Sequence, residues 1–313
     1  MEIKWLEDFV ALAEVSSFSR AAESRNVTQS AFSRRIRQLE AWLGATLIIR
    51  ATVPAKLTAA GHNFLPVAQE TIRTFHGIRE TLRPSAEPRL VRIAALHTLT
   101  LTFFPEWLGR LEEAVGPLGT SFIPDRGGFD SNIEAMVVDE ADLFLTYSHP
   151  QVPLRLDDAG FEYLIIGRDR LVPVAARQVR IAGALHAGAG ILDRAVASEL
   201  ELPCLSYGSA SFFGVALGHL LARRPPFARR TVHENTISAG LKTVAMTGSG
   251  LCWLPESLVA EELADGRLVA ASASEDWLLD LEIRLYRHCA NQAKPVERMW
   301  RAAAQIQSGI SSS

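Results

Sequence analysis

The sequence predicts an α + α/β protein: a helical N-terminal part, one long helix, and a two-lobed α/β part that takes up the rest of the chain. Three observations carry this. Between Ser16 and Gly44 apolar residues recur at helical spacing in two short segments parted by a turn. From Thr58 to Leu82 they recur at steps of four and three, and beyond Leu90 short apolar runs alternate with helical stretches. Steps of four and three put one stripe on a helix, and strands that alternate with helices predict parallel sheets covered on both faces.

Length and charge set bounds. A chain of 313 residues holds two or three domains, and 48% apolar with 21% charged residues is a globular composition. The net charge of −3 divides unevenly: residues 1 to 83 hold 11 Lys and Arg against 8 Asp and Glu, residues 84 to 313 hold 21 against 27, and residues 16 to 60 hold 7 against 2. Basic charge is therefore local, as when one module of a larger protein meets phosphate. Cys204, Cys252 and Cys289 are widely separated, with no CxxC and no His at ligand spacing, which argues against zinc or a disulfide framework. No cofactor is expected. With no secretory leader and no run of ~18 apolar residues, the expected compartment is the cytoplasm.

In chain order, residues 3 to 15 place Trp5, Leu6, Phe9, Leu12 and Ala13 on one helical face, read as core. A short helix follows, with Ser19 as its expected N-cap and Phe18, Ala21 and Ala22 as a close-packing surface. The turn Arg25-Asn26-Val27 contains one residue, Asn26, that tolerates left-handed geometry. Thr28 then caps a second helix. Phe32, Ile36, Leu39 and Leu43 form its buried stripe, so Ser30, Ser33, Arg34 and Arg37 fall on roughly the opposite face. A helix of this kind fits a DNA major groove about 12 Å wide, where Arg pairs with guanine and Ser donates to base or phosphate. Solvated surface charge is the plainer alternative, but small residues, turn, cap and basic helix together make the helix-turn-helix pattern. Leu47 to Thr58, with a turn at Val53-Pro54, reads as a short hairpin or wing from which Arg50 and Lys56 reach phosphate or a minor groove.

The run Ser17-Phe18, Ala21-Ala22, Val27-Thr28-Gln29-Ser30, Ser33-Arg34, Ile36, Leu39-Glu40, Leu43-Gly44, Leu47, Arg50 and Leu57-Thr58 with Gly61 resembles the winged helix-turn-helix of LysR-type transcriptional regulators. Ser30 stands where that family often has Pro, and Ile48 where it often has Phe. The resemblance implies a sequence-specific DNA-binding regulator whose DNA contacts are Thr28, Gln29, Ser30, Ser33, Arg34 and Arg37, supported by Arg50 and Lys56.

Thr58 caps the long helix. Phe64, Ala68, Thr71, Phe75, Ile78 and Leu82 repeat at four and three, the seam of a two-helix coiled coil, which predicts a homodimer or homotetramer. The alternative is packing on the C-terminal domain. Pro66 should kink or weaken this helix, and Arg83 to Pro88, with two prolines, is the expected hinge. The domains expected are 1–60 for DNA binding, 61–88 for linker and dimerisation, and 89–313 for effector binding, with lobe I at about 89–166 and 267–306 and lobe II at about 167–266.

Beyond the hinge, strands are expected at Leu90–Ala95, Thr120–Ile123, Asp142–Tyr147, Glu162–Ile166, Leu171–Ala175, Pro203–Tyr207, Gly250–Leu254, Leu268–Ala271 and Glu282–Tyr286. Helices are expected up to Leu111, over Ile133–Val137 and Ala239–Met246, and from Pro295 to Ile306. Two such lobes leave a cleft at strand ends, where open α/β sheets bind ligands. Through Asp142-Leu143 and Gly248-Ser249-Gly250 leading to Leu254-Pro255, this part resembles the effector-binding domain of LysR-type regulators, which is periplasmic-binding-protein-like. The candidate effector contacts are His97, Thr98 and Thr100 after the first strand, Tyr147 and Ser148 from one lobe, and Ser206 and Tyr207 from the other. The ligand class is a carboxylate or other anion.

Nothing supports catalysis: there is no Ser/His/Asp order, no GxSxG and no paired carboxylate at a strand end. Within the family the chain most resembles the hypochlorite-responsive LysR-type regulators, through Lys4-Trp5-Leu6, Ser24-Arg25-Asn26-Val27, Ala31-Phe32-Ser33-Arg34-Arg35-Ile36-Arg37, Leu96-His97-Thr98-Leu99, Cys252-Trp253-Leu254-Pro255-Glu256 and Pro295-Val296-Glu297-Arg298. The effector does not follow from this. Thioether oxidation needs accessible methionines, and of Met1, Met136, Met246 and Met299 the middle two read as core. A small molecule or an oxidant acting on the cleft is the expected control. The competing reading is a small-molecule-binding module whose N-terminal helices serve only for assembly.

Overall fold

Capping chemistry decides where the first helices start and stop. The structure, a computed structural model, describes residues 2–50, 52, 54–82, 89–123, 129–154, 156, 160–198, 200–209 and 211–310. The expected hinge at 83–88, Val53 of the expected turn and the side chains of Ile78 and Leu82 lie outside the described residues. The chain divides into two compact units, one built on Met1–Ala86 and one on the chain from Glu87 onward.

In the first unit, α1 (Ile3–Val15) ends where Ser16 turns left-handed at φ 50°. Next come α2 (Phe18–Ser24) and α3 (Gln29–Leu43), with Asn26 at φ 52° in the turn between them. Ser17 occupies the N-cap position of α2. Ser19, expected there, lies inside the first turn and donates to Gln29 Oε1 at 3.1 Å instead. Thr28 caps α3 by accepting from Ala31 N at 3.3 Å, and Gly44 ends it at φ 68°. Phe32, Ile36 and Leu39 are buried against α1 and α2, with the Phe18 ring edge-on to Phe32.

The wing is β1 (Ile48–Ile49) paired antiparallel with β2 (Lys56–Leu57), followed by α4 (Ala59–Leu82), whose first turn Thr58 caps through Gly61 N at 3.0 Å. Gly61 is required here: a Cβ would stand 2.3 Å from the Leu47 carbonyl oxygen. Pro66 lies inside α4 without dividing it. Two residues of the expected seam do other work. The Phe64 ring lies 5.6 Å from that of Phe9 and Ala68 is buried in the unit's core, because α1 packs along the first turns of α4. Among the described side chains, the large apolar ones that α4 leaves exposed are Val67 and Phe75.

The second unit opens with β3 (Val91–Ala95), α5 (His97–Thr102), α6 (Phe104–Val115), β4 (Thr120–Phe122), α7 (Phe129–Val137) and β5 (Leu143–Ser148). A 16-residue strand, β6 (Phe161–Ala176), leads to a hairpin of β7 (Gln178–Ile181) and β8 (Ala184–Ala187). That hairpin turns on Ala182 and Gly183, both at positive φ as a two-residue turn requires. Then follow α8 (Ile191–Val196), β9 (Leu202–Ser206), α9 (Phe212–Leu221), β10 (Arg229–Glu234), α10 (Ser238–Met246), β11 (Cys252–Pro255), α11 (Glu256–Ala264), β12 (Leu268–Ala270), β13 (Leu279–His288) and α12 (Lys294–Ile310).

The main sheet runs β11-β6-β13-β5-β3-β4, with β12 also on β6. The expectation of parallel sheets holds only for β3 with β4 and β5, and for β9 with β10; β13 and β6 pair antiparallel with all their neighbours. The two strands expected on either side of Gly167-Arg168-Asp169-Arg170 are one strand. These polar residues stay extended because β13 pairs with them, Glu282 opposite Arg168 and Leu281 opposite Asp169. Thus β6 runs from one lobe into the other, its first part beside β13 and its last part beside β11 and β12. A single apolar core spans both lobes, from Trp107 and Trp300 under the β5 side to Leu241 and Val259 under the β11 side. Among the described residues no helix is long and apolar enough to cross a membrane.

Candidate nucleic-acid interface and effector cleft

With its apolar stripe buried, α3 turns Thr28, Gln29, Ser30, Arg34 and Arg37 outward, and Ser33 is half-buried beside them. Thr28 Oγ1 and Ser30 Oγ lie 3.2 Å apart. Arg37 reaches back along its own helix, Nε donating to the Ser33 carbonyl at 3.4 Å. Arg34 is exposed and has no hydrogen-bond or ion-pair partner among the described residues. Ser30, Ser33, Arg34 and Arg37, within about 100° of one another around the helix, therefore share one face, with Thr28 and Gln29 at its N-terminal edge.

The wing residues differ from one another. Lys56 is exposed, opposite Ile49 in the hairpin. Arg50 is turned inward: Nη2 donates to Glu40 Oε2 at 2.7 Å, Nη1 donates to Ser33 Oγ at 3.3 Å, and the guanidinium stands 5.5 Å from the Phe18 ring centroid. Glu40 in turn accepts from Leu47 N at 2.9 Å and Ile48 N at 3.2 Å. Arg50 and Glu40 thus bind the wing to the recognition helix, with Arg50 still exposed at the surface.

Sequence reasoning missed Asp8, whose buried carboxylate meets Arg25 at 3.0 Å and Arg35 at 3.2 Å. Burial works to lower the pKa of Arg25, but its bonds to Asp8 and the charge of Glu7 raise it above the ordinary value. The available signal was an acidic pair, Glu7-Asp8, inside an apolar helix.

In the C-terminal unit three hydroxyls meet. Thr98, from α5, donates to Ser238 Oγ at 3.0 Å, and Tyr207, at the end of β9, donates to the same oxygen at 2.9 Å; all three residues are buried. A second network centres on Asp169, midway along β6. It accepts from Tyr147 OH at 2.8 Å and Ser257 Oγ at 2.6 Å, and from the backbone N–H groups of Arg170 at 2.8 Å and Ser257 at 3.2 Å. Arg170 pairs with Glu256 at the start of α11. Burial, and for Tyr147 also the charge of Asp169, pushes both tyrosines well above their ordinary pKa, so both are neutral donors.

The predicted effector residues do not all converge. Thr98 and Tyr207 meet through Ser238, while Tyr147 belongs to the Asp169 network. Thr100 donates to the carbonyl of His97 at 2.7 Å, and His97 is exposed. Two helical positions after Thr98, Thr100 is about 200° around the axis and cannot share its target. Ser206 bonds Thr231 at 3.1 Å on neighbouring β10, and Ser148 is buried. Ser238, Asp169 and Ser257 were not foreseen; a charged triplet, Arg168-Asp169-Arg170, between two apolar runs was the one clue.

A basic helix of groove size and a two-lobed α/β domain, carried on one chain, point to a class: a DNA-binding transcriptional regulator with its own ligand domain. Residues 3–62 match the bacterial regulatory helix-turn-helix protein, lysR family, and residues 85–307 match the LysR substrate binding domain. The chain belongs to the LysR family and is a LysR-type transcriptional regulator with a DNA-binding helix-turn-helix and an effector-binding domain. It is 28% identical over 309 residues to the HTH-type transcriptional regulator YjiE of Escherichia coli K12, covering 98% of this chain and 95% of that one. It is also similar to full-length HypT of Salmonella typhimurium, a hypochlorite-specific LysR-type regulator, with a TM-score of 0.57, 28% identity, and 98% and 99% of the two chains covered. DarR of Vibrio fischeri, solved in complex with DNA, matches with a TM-score of 0.55 and 28% identity over 97% and 98% of the chains.

Proposed function

We propose that this regulator acts in the cytoplasm as a dimer or tetramer, reading its operator with Ser30, Ser33, Arg34 and Arg37 of α3, and that a small molecule or oxidant acting on its C-terminal domain sets how the paired heads meet DNA. The observation that carries the reading is the outward face of α3: a capped helix whose hydroxyls and guanidinium groups stand clear of the core. Thr28 and Gln29 flank that face, and Lys56 supports it from the wing. DNA in the DarR complex supports duplex binding by this fold. Val67 and Phe75, apolar and outward on α4, support pairing with a second copy.

Two networks of hydrogen bonds between the lobes support control by a ligand. An effector that replaces a bond at Ser238 or Asp169 favours one lobe arrangement by its differential affinity for the two states. Likeness to HypT supports an oxidant. The two buried thiols offer poor chemistry for one, since burial pushes Cys204 up to about 12 and Cys252 higher still, while Cys289 is exposed. Met136 and Met299 are buried, while Met246 is half-buried with its sulfur 3.9 Å from Arg267 Nη1. We read the C-terminal domain as a binding module and not an enzyme.

The test is fluorescence anisotropy of the purified protein on the duplex upstream of its own gene and on duplexes selected from random sequence, against a scramble, at several salt concentrations. Expected are a clear preference and a log-linear salt slope. Arg34→Ala should remove the preference while leaving folding and assembly intact. Parent-like binding by that variant would sink the assignment of α3.

A further inference from the structure

We infer that Asp8 is a positioning residue for DNA recognition: a carboxylate that never meets the duplex fixes the angle at which α3 is presented to the groove. This rests on α3 being the reading helix. Asp8 lies on α1, and its side chain is 0% exposed. Its Oδ1 accepts from Nε of Arg25, the residue that closes α2, at 3.0 Å, and its Oδ2 accepts from Nη1 of Arg35, on α3, at 3.2 Å. Glu7, one residue earlier, takes the other end of the Arg25 guanidinium. One carboxylate thereby ties three helices, a different oxygen for each partner.

The physical reason lies in the difference between apolar and charged contacts. Phe32, Ile36 and Leu39 hold α3 against the core, but apolar burial is non-directional and tolerates small rotations of the helix about its axis. A charge-assisted hydrogen bond does not. A buried carboxylate left without its partners is strongly unfavourable, so the arrangement in which both guanidinium groups reach Asp8 excludes its neighbours. Arg34 and Arg37 lie about 100° and 200° around the helix from Arg35. Holding Arg35 inward therefore sets the direction of the two guanidinium groups that face out. Arg35, in turn, belongs to Asp8 and is not a phosphate contact.

The experiment uses the full-length protein and anisotropy titrations on a duplex that the protein itself enriches from random-sequence DNA, and on a scrambled duplex, across a range of salt. Arg35→Gln removes the tie to α3 and leaves the Arg25–Asp8 pair. Its affinity for the selected duplex should fall about tenfold, with the salt slope and the affinity for the scramble unchanged. A direct phosphate contact would instead lower the slope by about one and weaken both duplexes alike, which overturns the inference. Asp8→Asn, which also weakens the Arg25 tie, should lose at least as much with the same signature, and the double variant should be no worse than Asp8→Asn alone, since the Arg35 tie is then already gone; additive losses count against it. Helical circular dichroism reports whether Asp8→Asn folds. If it does not, Arg35→Gln decides alone, because that side chain is partly exposed and its loss empties no core site. Arg34→Ala separates the two levels. If it binds like the parent, or no duplex is enriched, the reading of α3 fails and the inference with it. If Arg34→Ala loses the preference while Arg35→Gln binds the selected duplex like the parent, the reading stands and the inference is wrong.

Discussion

In the N-terminal unit the polar side chains that hold the fold and those proposed to face DNA are largely different residues, with Thr28 and Ser33 serving in both, whereas in the C-terminal unit the residues proposed for a ligand, Thr98, Tyr147 and Tyr207, are themselves bonded within the fold. Asp8, Arg25, Arg35, Glu40 and Arg50 bond one another and the backbone, while Ser30, Arg34 and Arg37 face out. In the other unit Thr98, Tyr207 and Ser238 are buried partners of one another, and buried Tyr147 meets half-buried Asp169 and exposed Ser257. The difference has a functional meaning. A recognition face free of structural duty changes its DNA preference without altering stability, but a ligand that enters the lobe junction must compete with the protein's own bonds, and so binding and conformation are coupled there.

The largest effect that tests this division comes from the core beneath α3. Phe32 is fully buried, and Phe32→Ala should cost about 3–5 kcal/mol, with hydrogen exchange rising across α1 to α3 and DNA binding lost in parallel. Arg34→Ala, two residues after the start of the same buried stripe, should change stability by less than about 0.5 kcal/mol while removing sequence preference. If the two variants lose stability equally, the separation of duties on α3 is false. Between these extremes, Ser238→Ala leaves Thr98 and Tyr207 without their shared acceptor and should cost about 1–3 kcal/mol. Exchange should quicken in α5 and α10 and not in α3. An unchanged exchange pattern would mean that the hydroxyl cluster does not hold the lobes.

That contrast also explains what was legible in the sequence. The outward face of α3 follows from 100° per residue, a strictly local rule, so Ser30, Ser33, Arg34 and Arg37 were found from spacing alone. The direction of Arg50 was not, because it depends on Glu40 and Phe18, which lie outside its hairpin. In the C-terminal unit the strands themselves were readable as apolar runs, yet their directions were not: β13 returns between β5 and β6 after more than a hundred residues and makes the sheet mixed. Ser238 escaped notice for the same reason. It meets Thr98 across 140 positions of sequence, and no periodicity carries that information. Asp8 was hidden differently, as a charge within an apolar helix whose partners come from two other helices.

A smaller effect sharpens the local side of the comparison. Thr28 makes the one side-chain cap of α3, so Thr28→Ala should cost about 1 kcal/mol, seen as faster exchange in the first turn of the helix. Since Gln29 and Ser30 lie in that turn, affinity for the selected duplex should weaken with it. A stable first turn in the variant would show that packing, not the cap, sets the start of the reading helix.

The smallest effect expected is on acid response, and it should fall in the C-terminal unit. His149, just past β5, has its pKa lowered by burial first and then by His219 and Arg223, with Asp280 opposing. Geometry agrees, for its Nδ1 accepts from Gln151 N at 3.2 Å, a bond that protonation at that nitrogen would break. The unfolded chain therefore takes up this proton before the folded one does. The contribution of His149 to stability is fully present above its unfolded pKa and is lost as the pH falls from that value to the lower, folded one. As the pH falls below the ordinary histidine value of about 6.5, thermal unfolding should move to lower temperature, and His149→Gln should flatten the dependence, with exchange in α9 and the β5 end tracking the change while α3 stays constant. An equal acid effect in parent and variant would assign the response to other groups. An effect centred on α3 would break the comparison itself, since it would place a titrating structural group under the face that reads DNA.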